Sequence, residues 1–271
     1  MRDELVANRI FAMAGLVTAL LAFFVASSAH SAVISWGSPT NISGDSDVST
    51  NGSLVGARNI GLPAVNGMPA VSTTTVNGVT FTALELGATG NSVTSGNFNL
   101  SIPNAFGGNN AVGSALAPFS NLSAAYRAML GTEAGCFIQN PGCLDTASNS
   151  TTPITLTISG LLVGQQYEFE WWKNVSNGFQ THITTATAGN TVSLSSNTSG
   201  GVVGGIGQFA IGTFIADAPT QIISFGGSIQ NTFNGFQLRS TGSVPGSVPE
   251  PGTLALVGFG LAGLAAARRR K

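Results

Sequence analysis

Charge is scarce in this chain: Asp, Glu, Lys and Arg together make 8% of its 271 residues, against about a quarter in ordinary soluble domains. That excludes a surface of ion pairs and charged helix faces. Ser, Thr, Asn and Gly supply the polarity instead, which suits sheet edges, turns and sugar-like surroundings. Positive charge is rarest away from the ends. Between Arg9 and Arg268 the only bases are Arg58, Arg127, Lys173 and Arg239, facing nine acids: Asp45, Asp47, Glu85, Glu133, Asp145, Glu168, Glu170, Asp217 and Glu250. A middle with that balance argues against nucleic acid as a partner. Histidine and cysteine are nearly missing too, at two each.

Those shortages limit the available chemistry. Two cysteines do not complete a zinc site, and beyond the leader His182 is the sole imidazole. A Ser–His–Asp triad would have to use that histidine, which in a Thr-rich strand reads as a surface or hydrogen-bonded residue. A hydrolytic carboxylate pair would fall to Glu168 and Glu170, but beside Trp171 and Trp172 they read as the solvent side of an amphipathic strand. Asp45, Asp47 and Asn51 form the one candidate calcium loop, and it lacks the Gly that the EF-hand pattern places sixth. The expectation is a protein that is not an enzyme and has no cofactor, calcium being the single candidate.

What is present begins at the amino end. Arg2 and Arg9 precede an apolar run over 10–26, and small residues follow at 27–32. This reads as an export signal for the Sec machinery, cut by signal peptidase after Ala29, Ser31 or Ala32; an uncleaved anchor is the alternative. Export gives the cysteines a role. Cys136 and Cys143 flank an Asn140-Pro141-Gly142 turn signal, and in an oxidising compartment they are expected to close a small loop disulfide.

The carboxyl end holds three parts in order: Pro249-Glu250-Pro251, an apolar stretch over 254–267, and Arg268, Arg269, Arg270 and Lys271. As a helix the stretch would span about 21 Å, short of the roughly 30 Å of bilayer hydrocarbon. The bases would stay on the cytoplasmic side, and the prolines keep any helix from extending backwards. Gly258, Gly260 and Gly263 satisfy G-x-G-x-x-G, but no βαβ unit can follow so close to the end; they read as a thinned membrane-helix face.

This three-part tail resembles the PEP-CTERM sorting signal of exported bacterial proteins. The resemblance implies recognition by exosortase, a membrane-embedded cysteine transpeptidase, with removal of the tail near the motif. It also implies a setting of exopolysaccharide and biofilm.

The body, 33–240, alternates apolar and polar residues between Gly and Asn turns, as over 79–84, 154–158, 207–215, 220–225 and 233–239. Period two of this kind predicts an all-β antiparallel sandwich. One short helix is expected over 122–130, capped by Ser120 or Asn121, and a flexible linker over 241–248. The stretch from Leu161 to Tyr167 resembles the tyrosine corner of immunoglobulin-like sandwiches. The body as a whole resembles galactose-binding-like jelly rolls. The expected order is therefore a signal helix in 1–32, a β-sandwich in 33–240, a linker in 241–248 and a sorting signal with a short transmembrane helix in 249–271. Of Trp171 and Trp172, adjacent on one strand, one must point outward. Trp172 is the candidate to stack on a sugar ring unless a loop covers it.

Overall fold

The structure, a computed structural model, describes residues 31–64, 70–86, 92–102, 106–109, 115–137, 153–176, 181–227 and 230–243, the side chains of 106–109, 133–137, 230 and 243 excepted. The expected signal segment up to residue 30, the sorting signal and Cys143 lie outside these residues. Among the described residues no helix is long and apolar enough to cross a membrane.

The body is an all-β sandwich that fits a jelly-roll-like fold. Its first sheet has eight strands: β1 (Ser35–Trp36), β2 (Thr40–Asn41), β3 (Ser53–Gly61), β4 (Thr74–Val76), β5 (Val79–Glu85), β11 (Gln165–Lys173), β14 (Gln208–Ile215) and β17 (Gly235–Ser243). They lie in the order β1-β14-β11-β17-β3-β5-β4, with β2 also on β14. Six strands form the second sheet: β6 (Ser92–Ser95), β7 (Phe98–Ser101), β10 (Ile154–Ser159), β12 (Ile183–Ala188), β13 (Asn190–Ser195) and β15 (Thr220–Gly227). Their order is β13-β12-β15-β10-β7-β6. A small third sheet joins β8 (Phe106–Asn109), β9 (Thr132–Phe137) and β16 (Gln230–Phe233).

One pairing departs from the antiparallel expectation. β3 and β5 run parallel, Arg58 opposite Thr82 and Gly61 opposite Glu85. A parallel pair needs a long return connection, and residues 62–78, which include β4, provide it.

Alternation along the strands fills the space between the two large sheets. Tyr167, Phe169 and Trp171 of β11 meet Phe98 and Leu100 of β7, Leu156 and Ile158 of β10, and Ile223 and Phe225 of β15. Phe236 stacks on Phe169, and the Trp171 ring edge meets Phe225 at 5.1 Å. The segment 31–36 belongs to this core. Ile34 is fully buried, and Gly212 of β14 lacks the Cβ that would collide with Ile34 and Trp36.

A second apolar cluster covers the opposite face of the eight-stranded sheet. Trp172 and Phe209 pack there with Phe81, Val76 and Ile42 under helix α1 (Ala124–Leu130), which contributes Tyr126, Met129 and Leu130. The helix begins later than its apolar pattern suggests. Asn121 is taken up in a 3-10 turn, Phe119–Asn121, so the cap passes to Ser123, whose Oγ accepts from the Tyr126 N–H at 3.1 Å. The central strand β11 is thus buried on both faces.

Candidate functional site

Strand β11 is where the sequence concentrates its candidates, and alternation sends Glu168, Glu170 and Trp172 to one side together. That side is not solvent. Glu170 and Trp172 are fully buried and Glu168 nearly so, which corrects the amphipathic-strand reading. The cover is the segment 43–52, held down by β17. The Glu170 Oε2 accepts from the Ser49 N–H at 3.1 Å and from the Gln237 amide at 2.5 Å. Glu168 Oε2 accepts from the Asn51 amide at 3.2 Å. Arg239, opposite Glu168 on β17, donates to the Thr50, Asn51 and Gly52 carbonyls, the shortest being 2.6 Å to Asn51. Its charge is thus spent on clamping the loop.

Burial has electrostatic consequences. The Glu170 carboxyl is pushed from 4.5 up to about 8. Desolvation of the charged form is the main cause, with the Gln237 and Ser49 hydrogen bonds pulling the other way and the Glu168 and Asp47 charges adding to the rise. At neutral pH it is therefore a neutral acid. Its second oxygen, Oε1, is buried without a hydrogen-bond partner, as is Oε1 of Glu168. Tyr126, raised well above 10 by burial and then by the Asp47 and Glu170 charges, keeps its proton as well.

Trp172 does not present a ring to a glycan. Phe81 meets it edge-on at 5.4 Å, Phe209 stacks on it at 6.4 Å, and its Nε1 donates to the Tyr126 hydroxyl at 2.9 Å. The expected carbohydrate contact is corrected to a core position, because helix α1 lies over the face that alternation turned outward.

The candidate calcium loop is occupied by protein donors. Asp47 accepts from the Ser43 N–H at 2.7 Å, the Gly44 N–H at 3.0 Å and the Tyr126 hydroxyl at 3.2 Å. Asp45 accepts from Ser123 Oγ at 2.7 Å, and Asn51 faces Glu168. Among the described residues no three His, Cys, Asp or Glu side chains group as a metal site. The two aspartates tie a 3-10 turn, Asp45–Asp47, to the start of α1.

His182 is buried rather than at the surface. Its Nδ1 has no hydrogen-bond partner, and burial, with the Lys173 charge second, pulls the imidazole down to about 4. It is neutral at physiological pH, with no carboxylate on Nδ1 to orient it as a triad base. Around it lies a polar core that the sequence did not disclose. Lys173 Nζ donates to the Thr232 carbonyl and hydroxyl at 3.0 and 2.9 Å. Asn234 donates to the carbonyls of Leu130, Thr132 and Asn174 and accepts from the Asn174 N–H. Asn234, just before β17, thus ties the junction of α1 and β9 to the end of β11.

The tyrosine corner is present: Tyr167 Oη accepts the Leu162 N–H at 3.0 Å. Two boundaries move. β17 runs to Ser243, so the expected linker starts no earlier than residue 244. Ser31 Oγ accepts from the Ile222 N–H at 3.1 Å and from the Gln221 amide, and Ala32 is buried. Both residues, which the expected signal segment 1–32 takes in, thus pack on the folded body. Cys136 sits on β9 opposite Asn231, but its side chain and Cys143 lie outside the described residues, as do Pro249, Glu250, Pro251, Arg268, Arg269, Arg270 and Lys271.

Comparison with known proteins finds one likeness. Residues 247–271 match the family described as the PEP-CTERM protein-sorting motif. No curated protein and no solved structure matches the chain. The matched segment takes in the Pro-Glu-Pro, the apolar stretch and the four terminal bases, the three parts on which the resemblance rested. By these residues the chain carries a PEP-CTERM sorting motif, the mark of an exported protein sorted through exosortase.

Proposed function

We propose that this chain is a non-catalytic protein of the cell surface or extracellular matrix, delivered by its sorting motif and held among exopolysaccharide in a biofilm. The observation that carries this reading is the match at 247–271 behind a body whose candidate catalytic and sugar-binding side chains are enclosed. Glu168 and Glu170 lie under the 43–52 segment and Trp172 under α1, which favours a structural use for all three. Signal peptidase removes the leader, exosortase acts at Pro249-Glu250-Pro251 while the apolar stretch and basic end pause in the membrane, and Cys136 and Cys143 close their loop after export. A carbohydrate-binding module remains the second reading, through surfaces other than Trp172.

Intact mass of the mature protein from its host, with cell fractionation, tests the scheme. The expected species starts at His30, because cleavage after Ser31 or Ala32 would discard residues bonded to Gln221 and Ile222. It also lacks the residues beyond the Pro-Glu-Pro and gains mass on reduction and alkylation only through the released cysteines. Protein found solely in the cytoplasm, or a surface form with all four terminal bases retained outside, would sink the reading.

A further inference from the structure

The strands of the central sheet give the body two poles. At one, Gln165 of β11 lies opposite Ser243 of β17, and Gln166 lies opposite Ile215 of β14. At the other, Lys173 lies opposite Gln208, and Trp172 opposite Gly235. The chain leaves for the sorting signal from the first pole. That same pole carries the β10–β11 turn, whose tip exposes Leu162 by 68% and Val163 by 60%, with Ile215 beside it at 49%. The turn is not a loose flap. Gly164 N–H donates to the Ala216 carbonyl at 2.8 Å, Leu161 N–H to the Pro219 carbonyl at 3.1 Å, and the Gln165 amide to Ser240 Oγ at 2.8 Å. The corner bond from Leu162 N–H to Tyr167 fixes the tip itself. Three large apolar side chains are thus held out to solvent on a rigid mount, with Asp217 the one exposed charge on the adjoining turn.

We propose that this pole faces the bilayer and that the Leu162–Val163 tip enters its interfacial layer while the carboxyl end is in the membrane. This rests on the sorting reading above, in which the apolar stretch from Leu254 sits in the bilayer. The occupant follows from the tether. However residues 244–253 run, ten residues span at most about 35 Å, so the exit pole is confined close to the headgroups. The far pole is a strand's length further off, about 27 Å along the nine residues of β11. Bringing that pole down would use nearly the whole reach of the tether to run back along the body. Exposed aliphatic side chains at a membrane-confined pole gain by partitioning into the interface, and the near absence of charge there leaves little to desolvate. The surface is suited to a neutral or zwitterionic lipid rather than to an anionic one.

The test uses the full chain reconstituted in dioleoylphosphatidylcholine vesicles, with Leu162→Trp as the probe and Val202→Trp as the control. Val202 is exposed to a similar extent, 59%, but precedes Gln208 at the far pole. Emission is taken as the difference from the parent chain, and each variant's melting curve verifies that it folds. On replacing the lipid by its brominated form, Leu162→Trp loses its added emission and Val202→Trp keeps it. Flotation with the vesicles after an alkaline wash reports separately on the tail. Chain that floats while Leu162→Trp stays unquenched overturns the proposal and leaves the sorting reading standing; chain that fails to float removes both. Equal quenching at the two sites overturns it by removing the orientation. Quenching of Leu162→Trp that is lost when exosortase is added assigns the tip to a protein partner in the sorting complex and overturns it also.

Discussion

Replacing Glu170 by Gln should change how the stability of this protein depends on pH, and the change can be worked out from the burial of the side chain. The folded carboxyl titrates at about 8 and the unfolded one near 4.5. Between those values the folded state holds a proton that the unfolded state has lost, so stability falls as pH rises. A single group contributes a slope of about 1.4 kcal/mol per pH unit there. His182 acts in the opposite sense over part of that range. Its folded value near 4 lies below the ordinary 6.5, so the unfolded state holds the extra proton and stability rises with pH up to about 6.5. The parent should therefore show a flattened profile below pH 6.5 and a decline above it. Between pH 6.5 and 8 the Glu170 contribution alone is about 2 kcal/mol.

Gln at position 170 copies the protonated acid. Its carbonyl takes over both bonds of Oε2, from Ser49 and Gln237, and its amide occupies the place of Oε1, which has no partner in the parent. The variant should match the parent's stability as pH falls below about 4.5, remain level from 6.5 to 8, and expose the His182 rise in between. Urea unfolding of the full chain, followed by tryptophan emission at half-unit pH steps, reads all three. A parent that gains stability from pH 6.5 to 8, or a variant with the parent's slope, would refute the reasoning.

The neighbouring side chains give simpler expectations. Trp172→Ala should cost about 4 kcal/mol in urea unfolding, since it empties a site walled by Phe81 and Phe209 and leaves the Tyr126 hydroxyl without its donor; loss of glycan retention at unchanged stability would contradict the core assignment. Tyr167→Phe keeps the ring stacked on Phe214 and removes one hydrogen bond, for about 1 kcal/mol. It should speed amide exchange most at Leu162, and an unaltered Leu162 rate would remove the corner from the account.

Legibility tracked the range of the interactions involved. The tyrosine corner spans five residues, and its Gly and Tyr spacing announces it. The sorting motif is a linear signal, so three parts in order sufficed. Period two disclosed the strands because each carries its own inward face. The face of Glu168 and Glu170 was misread for the same reason. Acids at alternate positions point to water unless something distant covers them, and the covering segment 43–52 lies more than a hundred residues earlier in the chain. Trp172 depended on α1 in the same way. The buried polar roles of Asn234 and Lys173 were not legible because their partners, Leu130, Thr132 and Thr232, are brought in only by the tertiary fold.

The scarcity of charge in the sequence becomes sharper in the folded body. Glu168, Glu170, Lys173 and Arg239 are buried, and Asp45, Asp47, Arg58 and Arg127 are partly covered. Among the residues whose side chains are described, only Glu85 and Asp217 stand exposed as charged side chains. Few of the described charges are thus placed where a partner could pair with them directly. What the body offers is hydroxyl and amide groups at short range, and a few apolar tips. The sandwich spends its charge inside, holding a loop and a helix over the strand at its centre.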